Sequence, residues 1–150
     1  MIAYRITLAK YARALFASGN PARWNSRDVK MIYTAESKAL ACLENVVHRS
    51  SKGLQAHFKV MYIEIPDDLQ ITVLKEADLK KGWSLFKNMP YTQEKGNQWI
   101  KEKATAILQV PSVIIKGTSN FLLNPAHNDF SSISLLKSEV FTFDSRIKGR

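Results

Sequence analysis

The chain has 150 residues, is 45% hydrophobic and 23% charged, and carries a formal net charge of +9. That length suits one domain, residues 1–150, with an ordinary buried core, and the composition excludes a disordered or fibrous protein. No apolar run approaches the ~20 residues of a membrane-spanning helix, and the opening MIAYRITLAKYARALF lacks the apolar centre and cleavage site of a signal peptide.

A cytoplasmic protein is therefore expected. The single cysteine, Cys42, has no internal partner for a disulfide, which fits a reducing compartment. The positive excess favours anionic partners such as a nucleotide, a nucleic acid or an acidic protein. The basic residues are scattered as singles and pairs, among them Lys80-Lys81 and the run Arg146 to Arg150. Any one of them reads equally well as solvated surface.

Ala3 to Thr7 alternates and predicts a first strand carrying Arg5. Lys10 to Phe16 has near-helical spacing and predicts a short helix, stopped by Ser18-Gly19-Asn20-Pro21. A polar turn with Arg23, Trp24 and Asn25 follows. Met31 to Thr34, containing Tyr33, reads as the second strand. Ser37 then predicts the cap of a helix reaching His48. Its apolar positions Ala39, Leu40, Leu43, Val46 and Val47 fall on one arc, and Glu44 sits at the arc's edge. A carboxylate there can border a cleft and be partly desolvated.

His57 to Ile65 has strong strand composition, and Leu69 to Leu74 predicts a further strand. Ala77 to Phe86 is irregular, with Leu79, Trp83 and Phe86 as expected core anchors. Thr92 is expected to open a short helix over Gln93 to Lys101, weakened by Gly96, with Trp99 and Ile100 inward. Ala106 to Val110 reads as a strand broken by Pro111, with Ser112 beyond it and Val113 to Ile115 as a possible continuation. Phe121-Leu122-Leu123 ends in Asn124-Pro125. Ile133 to Leu136 and Val140 to Phe143 read as the last strands. Strands outnumber helices without regular alternation, so the expected class is α+β: a mainly antiparallel, curved or split sheet flanked by short helices.

The chain has no Gly-rich phosphate loop, no GxSxG elbow and no cluster spaced for metal ligation. Four residues remain as site candidates: Arg23, Tyr33, Glu44 and Ser112. A cation, an aromatic ring and a carboxylate near one cleft suit a ligand with phosphates, a flat ring and a developing positive charge. Each also has a plain structural reading. Arg23 can pair with Asp28, Tyr33 can be strand core, Glu44 can be helix surface, and Ser112 can be a turn hydroxyl.

The ordered set ARWNS, VKMIYTAESKALACLENVVH, LQVPSVII and NFLLNPAHNDF resembles the RES-domain family, named for its arginine, glutamate and serine. PDDL, GWSLF and FTFDSRI fall in family-like order too. In place of the glycines usual before the arginine stand Asn20-Pro21-Ala22, which stiffen the turn. The resemblance implies an ADP-ribosyltransferase-like fold and the toxin of a bacterial toxin–antitoxin module acting on NAD+. The implied reaction cleaves the nicotinamide–ribose bond, with water or phosphate as acceptor; some members instead transfer ADP-ribose to a protein. NAD+ is the substrate, and no separate cofactor or metal is implied. The implied partner is an Xre-type antitoxin, which blocks the cleft and alone contacts DNA.

By the same resemblance Glu44 stabilises the oxocarbenium-like ribose, and Arg5 and Arg23 hold the pyrophosphate. Tyr33 stacks on nicotinamide, Ser112 holds the ribose or orients Glu44, and Trp24, Asn25 and Asn124 contribute to NAD+ binding. His127 is read as structural. Two rivals stay open. One is a toxin ribonuclease using His48 or His57 as general base; the other is a non-catalytic nucleic-acid-binding module. Against both, aromatic and basic residues are not interleaved on one strand.

Overall fold

A computed structural model describes residues 1–148. Seven strands form one sheet: β1 (Ile2–Leu8), β2 (Ile32–Ala35), β3 (Phe58–Glu64), β4 (Ile71–Val73), β5 (Ile107–Pro111), β6 (Ser119–Leu123) and β7 (Ser134–Phe141). Their order is β4-β5-β6-β2-β1-β3-β7, and every neighbouring pair is antiparallel except β4 and β5. With helices α1 (Lys38–His48) and α2 (Met89–Glu102), this is the expected α+β class.

The sheet is nearly split at its centre. β1 pairs with β3 along its whole length, from Ile2↔Glu64 to Leu8↔Phe58. With β2 it shares only Tyr4↔Ala35. Beyond that point the two strands part, and backbone groups there need other partners. Asn45 of α1 donates to the Ile6 carbonyl at 2.9 Å, and Asn120 of β6 donates to the Thr34 carbonyl at 3.2 Å. Side chains thus satisfy acceptors on both strands that flank the gap.

Alternation along the strands builds a core on each face of the sheet. On one face lie Ile32, Ile63, Ile107 and Leu123. The other face is divided. Leu40 and Ala41 of α1 pack with Ile6, Phe58 and Val60. Trp99 of α2 joins Trp24, Trp83, Leu108 and Leu122. The two helices therefore cover different halves of one face, and a cleft lies between them.

α1 begins as expected, with the Ser37 hydroxyl accepting from the Leu40 N–H at 3.1 Å. Its buried face differs from the expected arc. Ala39 and Val47 are exposed, while Ala41 is buried. The inward stripe is partly polar, because Asn45 spends its amide on the sheet.

α2 starts at Met89, before the expected Gln93, because Pro90 supplies a pre-set first turn. It ends on Lys103 in the left-handed conformation. Gly96 is a packing device rather than a weakness: a Cβ there would overlap the Trp24 carbonyl oxygen.

Other expectations are corrected. Lys10 to Phe16 forms only a single 3-10 turn, Ala9–Tyr11, since so short a segment without a cap cannot hold a helix. Ala12 and Ala17 are buried there, while Tyr11 and Phe16 stack in the open. Phe86 is no core anchor, being 81% exposed, whereas Leu79 and Trp83 are buried as expected. Residues 113–115 form the β5–β6 connection and not a strand. The two last strands are one, β7, with an irregularity opposite Tyr62 and Ile63. Of the basic run Arg146 to Arg150, Gly149 and Arg150 lie outside the described residues.

The Gly96 contact yields a direct expectation. Gly96→Ala must displace the Trp24 backbone and costs about 1–3 kcal/mol, the usual range for overpacking. At about 2–4 °C per kcal/mol for a chain of this size, thermal melting shows a clear drop. A melting temperature equal to wild type would contradict the close approach.

Candidate active site

The cleft has a volume of about 990 Å³, at the upper end for a ligand site. β1 contributes Arg5 and Thr7, β2 contributes Tyr33 and Thr34, and α1 contributes Glu44 and His48. The turn before β2 contributes Arg23 and Trp24, and Phe86, Met89 and Gln93 close the α2 side.

The turn is held from two directions. From β2, the buried Tyr33 hydroxyl accepts from the Trp24 N–H at 3.0 Å and donates to Asn25 Oδ1 at 2.6 Å. Asn25 is 1% exposed, and its amide donates to the carbonyls of Asn20, Ser26 and Val29. From α2, Thr92 donates to the Arg23 carbonyl at 2.6 Å and Gln93 to the Ala22 carbonyl at 2.9 Å. Asn97 receives the Ser26 N–H and donates to its hydroxyl. The backbone around Arg23 has few ways to move, so its side chain is aimed into the cleft by the fold.

Arg23 is half-buried, and its Nη1 lies 3.4 Å from the Leu85 carbonyl oxygen. Burial lowers its pKa, while the nearby Tyr33 and Glu44 push it back up. Among the described residues it makes no ion pair with Asp28. Arg5 is half-buried with Nη1 3.4 Å from the Phe16 carbonyl oxygen, and burial lowers its pKa. Glu44 keeps 29% of its side chain exposed and meets His48 Nε2 at 3.7 Å, one helical turn on. It stands on the cleft wall, close enough for its charge to act on both Arg23 and Tyr33.

The structure thus brings Arg5, Arg23, Trp24, Tyr33 and Glu44 to one cleft. It places three other predicted residues elsewhere. Asn25 sits behind the turn with every amide group in use. The Ser112 hydroxyl is buried beside the rim and accepts from the N–H groups of Ile114 and Ile115. Asn124 is at the far end of β6 from Asn120. It is fully buried, with Oδ1 accepting from the Ala126 N–H and Nδ2 unpartnered. His127 receives the Asp129 N–H and so caps a 3-10 turn. Polar cleft residues that the sequence does not single out include Thr7, Thr34, Asn45, Arg49, Gln93 and Asn120, while His48 enters only as the general base of the ribonuclease alternative. Only His48 carried a signal, its i+4 spacing from Glu44.

A family model, described as the RES domain, matches residues 2–144. The chain belongs to the RES-domain family. This RES domain is 39% identical over 127 residues to the "Prs ADP-ribosylating toxin" of Sphingobium sp. strain YBL2, covering 83% of this chain and 79% of the relative. It is 31% identical over 153 residues to the "Toxin Res" of Yersinia enterocolitica, covering 99% and 100% of the two chains. The RES domain also superposes on a chain of the M. tuberculosis MbcT–MbcA toxin–antitoxin complex with a TM-score of 0.78 at 18% identity, covering 99% of this chain and 89% of that one. At that identity the likeness speaks for the fold. No helix among the described residues is long and apolar enough to cross a membrane.

Tyr33→Phe removes both hydrogen bonds of the knot and leaves the buried Asn25 acceptor without its donor. The expected cost is about 1–3 kcal/mol, read by chemical denaturation. Burial raises the Tyr33 pKa above its ordinary 10.0. A raised folded-state pKa gives stability that is complete below the unfolded value and is lost as pH rises past it. Between about pH 9 and about pH 11 wild type is therefore expected to lose more stability than Tyr33→Phe. Equal losses would contradict a buried neutral phenol.

Proposed function

We propose that this RES domain is the toxin of a toxin–antitoxin module and cleaves NAD+ at the nicotinamide–ribose bond. The observation that carries the reading is that Glu44 and Arg23 line one preorganised cleft, with the Glu44 charge acting on the Arg23 guanidinium. In the proposed step the C1′–N1 bond breaks and its electron pair leaves with neutral nicotinamide. The ribose carries the oxocarbenium charge, and water adds to C1′ and gives up a proton, leaving ADP-ribose. With phosphate as acceptor the product is phosphorylated instead.

Glu44 supplies negative charge where positive charge develops, in a site already built and partly shielded from water. Arg23 and Arg5 suit the pyrophosphate, since a guanidinium fork matches phosphate oxygens. The Tyr33 ring forms part of the wall, while its hydroxyl holds the turn. The chain's charge of +9 raises the local concentration of an anionic dinucleotide. NAD+ is substrate, and the scheme uses no separate cofactor. The proposed setting is the cytoplasm, with an Xre-family antitoxin that covers the cleft and alone contacts DNA.

A second reading is transfer of ADP-ribose to a protein. The Sphingobium relative, named as an ADP-ribosylating toxin, favours it. The two share every step up to the acceptor.

Incubating the pure protein with NAD+ is expected to release nicotinamide and free ADP-ribose. Glu44→Gln, which keeps shape and removes charge, is expected to slow release by about 100-fold or more, with an unchanged melting temperature. Label from tagged NAD+ appearing on a protein would favour the second reading. Intact NAD+ alongside degraded total RNA would replace both with a ribonuclease. Arg23→Ala is expected to raise KM strongly while the protein melts near the wild-type temperature. A large fall in melting temperature would mark the arginine as structural instead.

A further inference from the structure

The ring of Phe86 is 81% exposed, on the wall of the cleft, where sequence alone expects a core anchor. Leaving a phenyl group in water forgoes the full gain of burying it. The loop that presents it is nonetheless fixed. Leu85 N–H donates to the Gly82 carbonyl, Asn88 N–H to the Leu85 carbonyl, and the Asn88 amide to the Gly82 carbonyl at 2.7 Å. Gly82 takes the positive φ of 75° that the tight turn requires. An ordered backbone thus holds an unsatisfied aromatic side chain at the mouth of a ligand-sized cleft.

Its neighbours give the ring an order in space. The carbonyl immediately before it, that of Leu85, is the one Arg23 Nη1 approaches. The same guanidinium feels the charge of Glu44. Arg23 therefore stands beside the segment that carries the open ring, in a cleft whose wall Glu44 shares. Among the described residues the other Phe, Trp and Tyr rings of the cleft are committed elsewhere. Trp24 is buried against Trp83, Tyr33 anchors the turn, and Tyr4 packs edge-on against Tyr62. Met89, whose thioether adapts to flat ligands, lines the wall close by.

We propose that Phe86 is the stacking platform for the adenine ring of the dinucleotide, with Arg23 on the phosphates between it and the ribose at Glu44. This rests on the NAD+ reading and adds to it the direction in which the substrate lies. A base stacked on an aromatic side chain loses about 1–3 kcal/mol when that side chain becomes alanine, and the lower half of that range, about 1.4 kcal/mol, is tenfold in affinity.

The test compares wild type, Phe86→Ala and Phe86→Trp by calorimetry with two probes. ADP carries adenine and phosphates, and nicotinamide mononucleotide carries the other half. In Phe86→Ala the Kd for ADP is expected to rise about tenfold, that for nicotinamide mononucleotide to stay unchanged, and the KM for NAD+ to rise with kcat kept. Phe86→Trp restores ADP binding. All three proteins melt alike, because the ring is exposed. An unchanged Kd for ADP, an equal loss for both probes, or a wild type that binds no ADP would overturn the platform. The first result would give the ring to a protein partner. If wild type releases no nicotinamide yet ADP binding still depends on Phe86, NAD+ cleavage fails and the platform stands.

Discussion

One phenol hydroxyl ties the cleft together. Tyr33 belongs to β2 and so to the centre of the sheet, yet its oxygen is bonded to the turn eight and nine residues earlier. That turn is pinned on its other side by Thr92, Gln93 and Asn97 of α2, and its Trp24 carbonyl rests where Gly96 has no side chain. A surface loop that carries a cleft-lining arginine would ordinarily be mobile. Here it is held like an element of the core, and the ordering cost of aiming Arg23 is met in folding rather than at binding.

The split between β1 and β2 is the second half of the design. A continuous ladder would leave no room between the two helices. With only Tyr4↔Ala35 paired, the strands diverge, and the cleft opens over the gap. Asn45 and Asn120 compensate carbonyls on either side. Asn45 also receives Arg49 Nε at 3.0 Å. The helix thus carries a residue that mends the sheet and, one position earlier, a carboxylate on the cleft wall. Moving Glu44 would mean moving the repair.

Local chemistry was legible in the sequence where one residue type suffices. Ser37 before an apolar arc predicted the α1 cap, and Glu44 at the edge of that arc predicted a carboxylate at a cleft. The strands of the core were found because β-branched runs have few other fates. Legibility failed where one residue type serves two purposes. Asn25 and Ser112 are expected at the ligand, but the Asn25 amide meets three backbone carbonyls and the Tyr33 hydroxyl, and the Ser112 oxygen accepts from two backbone N–H groups; a turn asparagine looks the same in either role. Gly96 looks like a weak point in a helix, whereas its meaning lies in the carbonyl of Trp24, far back in the chain. Phe86 is expected in the core because an aromatic residue usually belongs there. Nothing local distinguishes a phenyl group that packs from one left facing a cleft. Asn120 reaches the site only through the register that sets it against Ala35, which is a property of pairing between distant segments.

The most direct measurement is a crystal structure with a non-cleavable NAD+ analogue whose ribose oxygen is replaced by carbon. The account predicts the analogue in the gap between β1 and β2, with its pyrophosphate on the Arg23 guanidinium and its nicotinamide-bearing ring beside Glu44. An analogue bound elsewhere on the protein, or one seated in the cleft with Arg23 and Glu44 both out of contact, would contradict it.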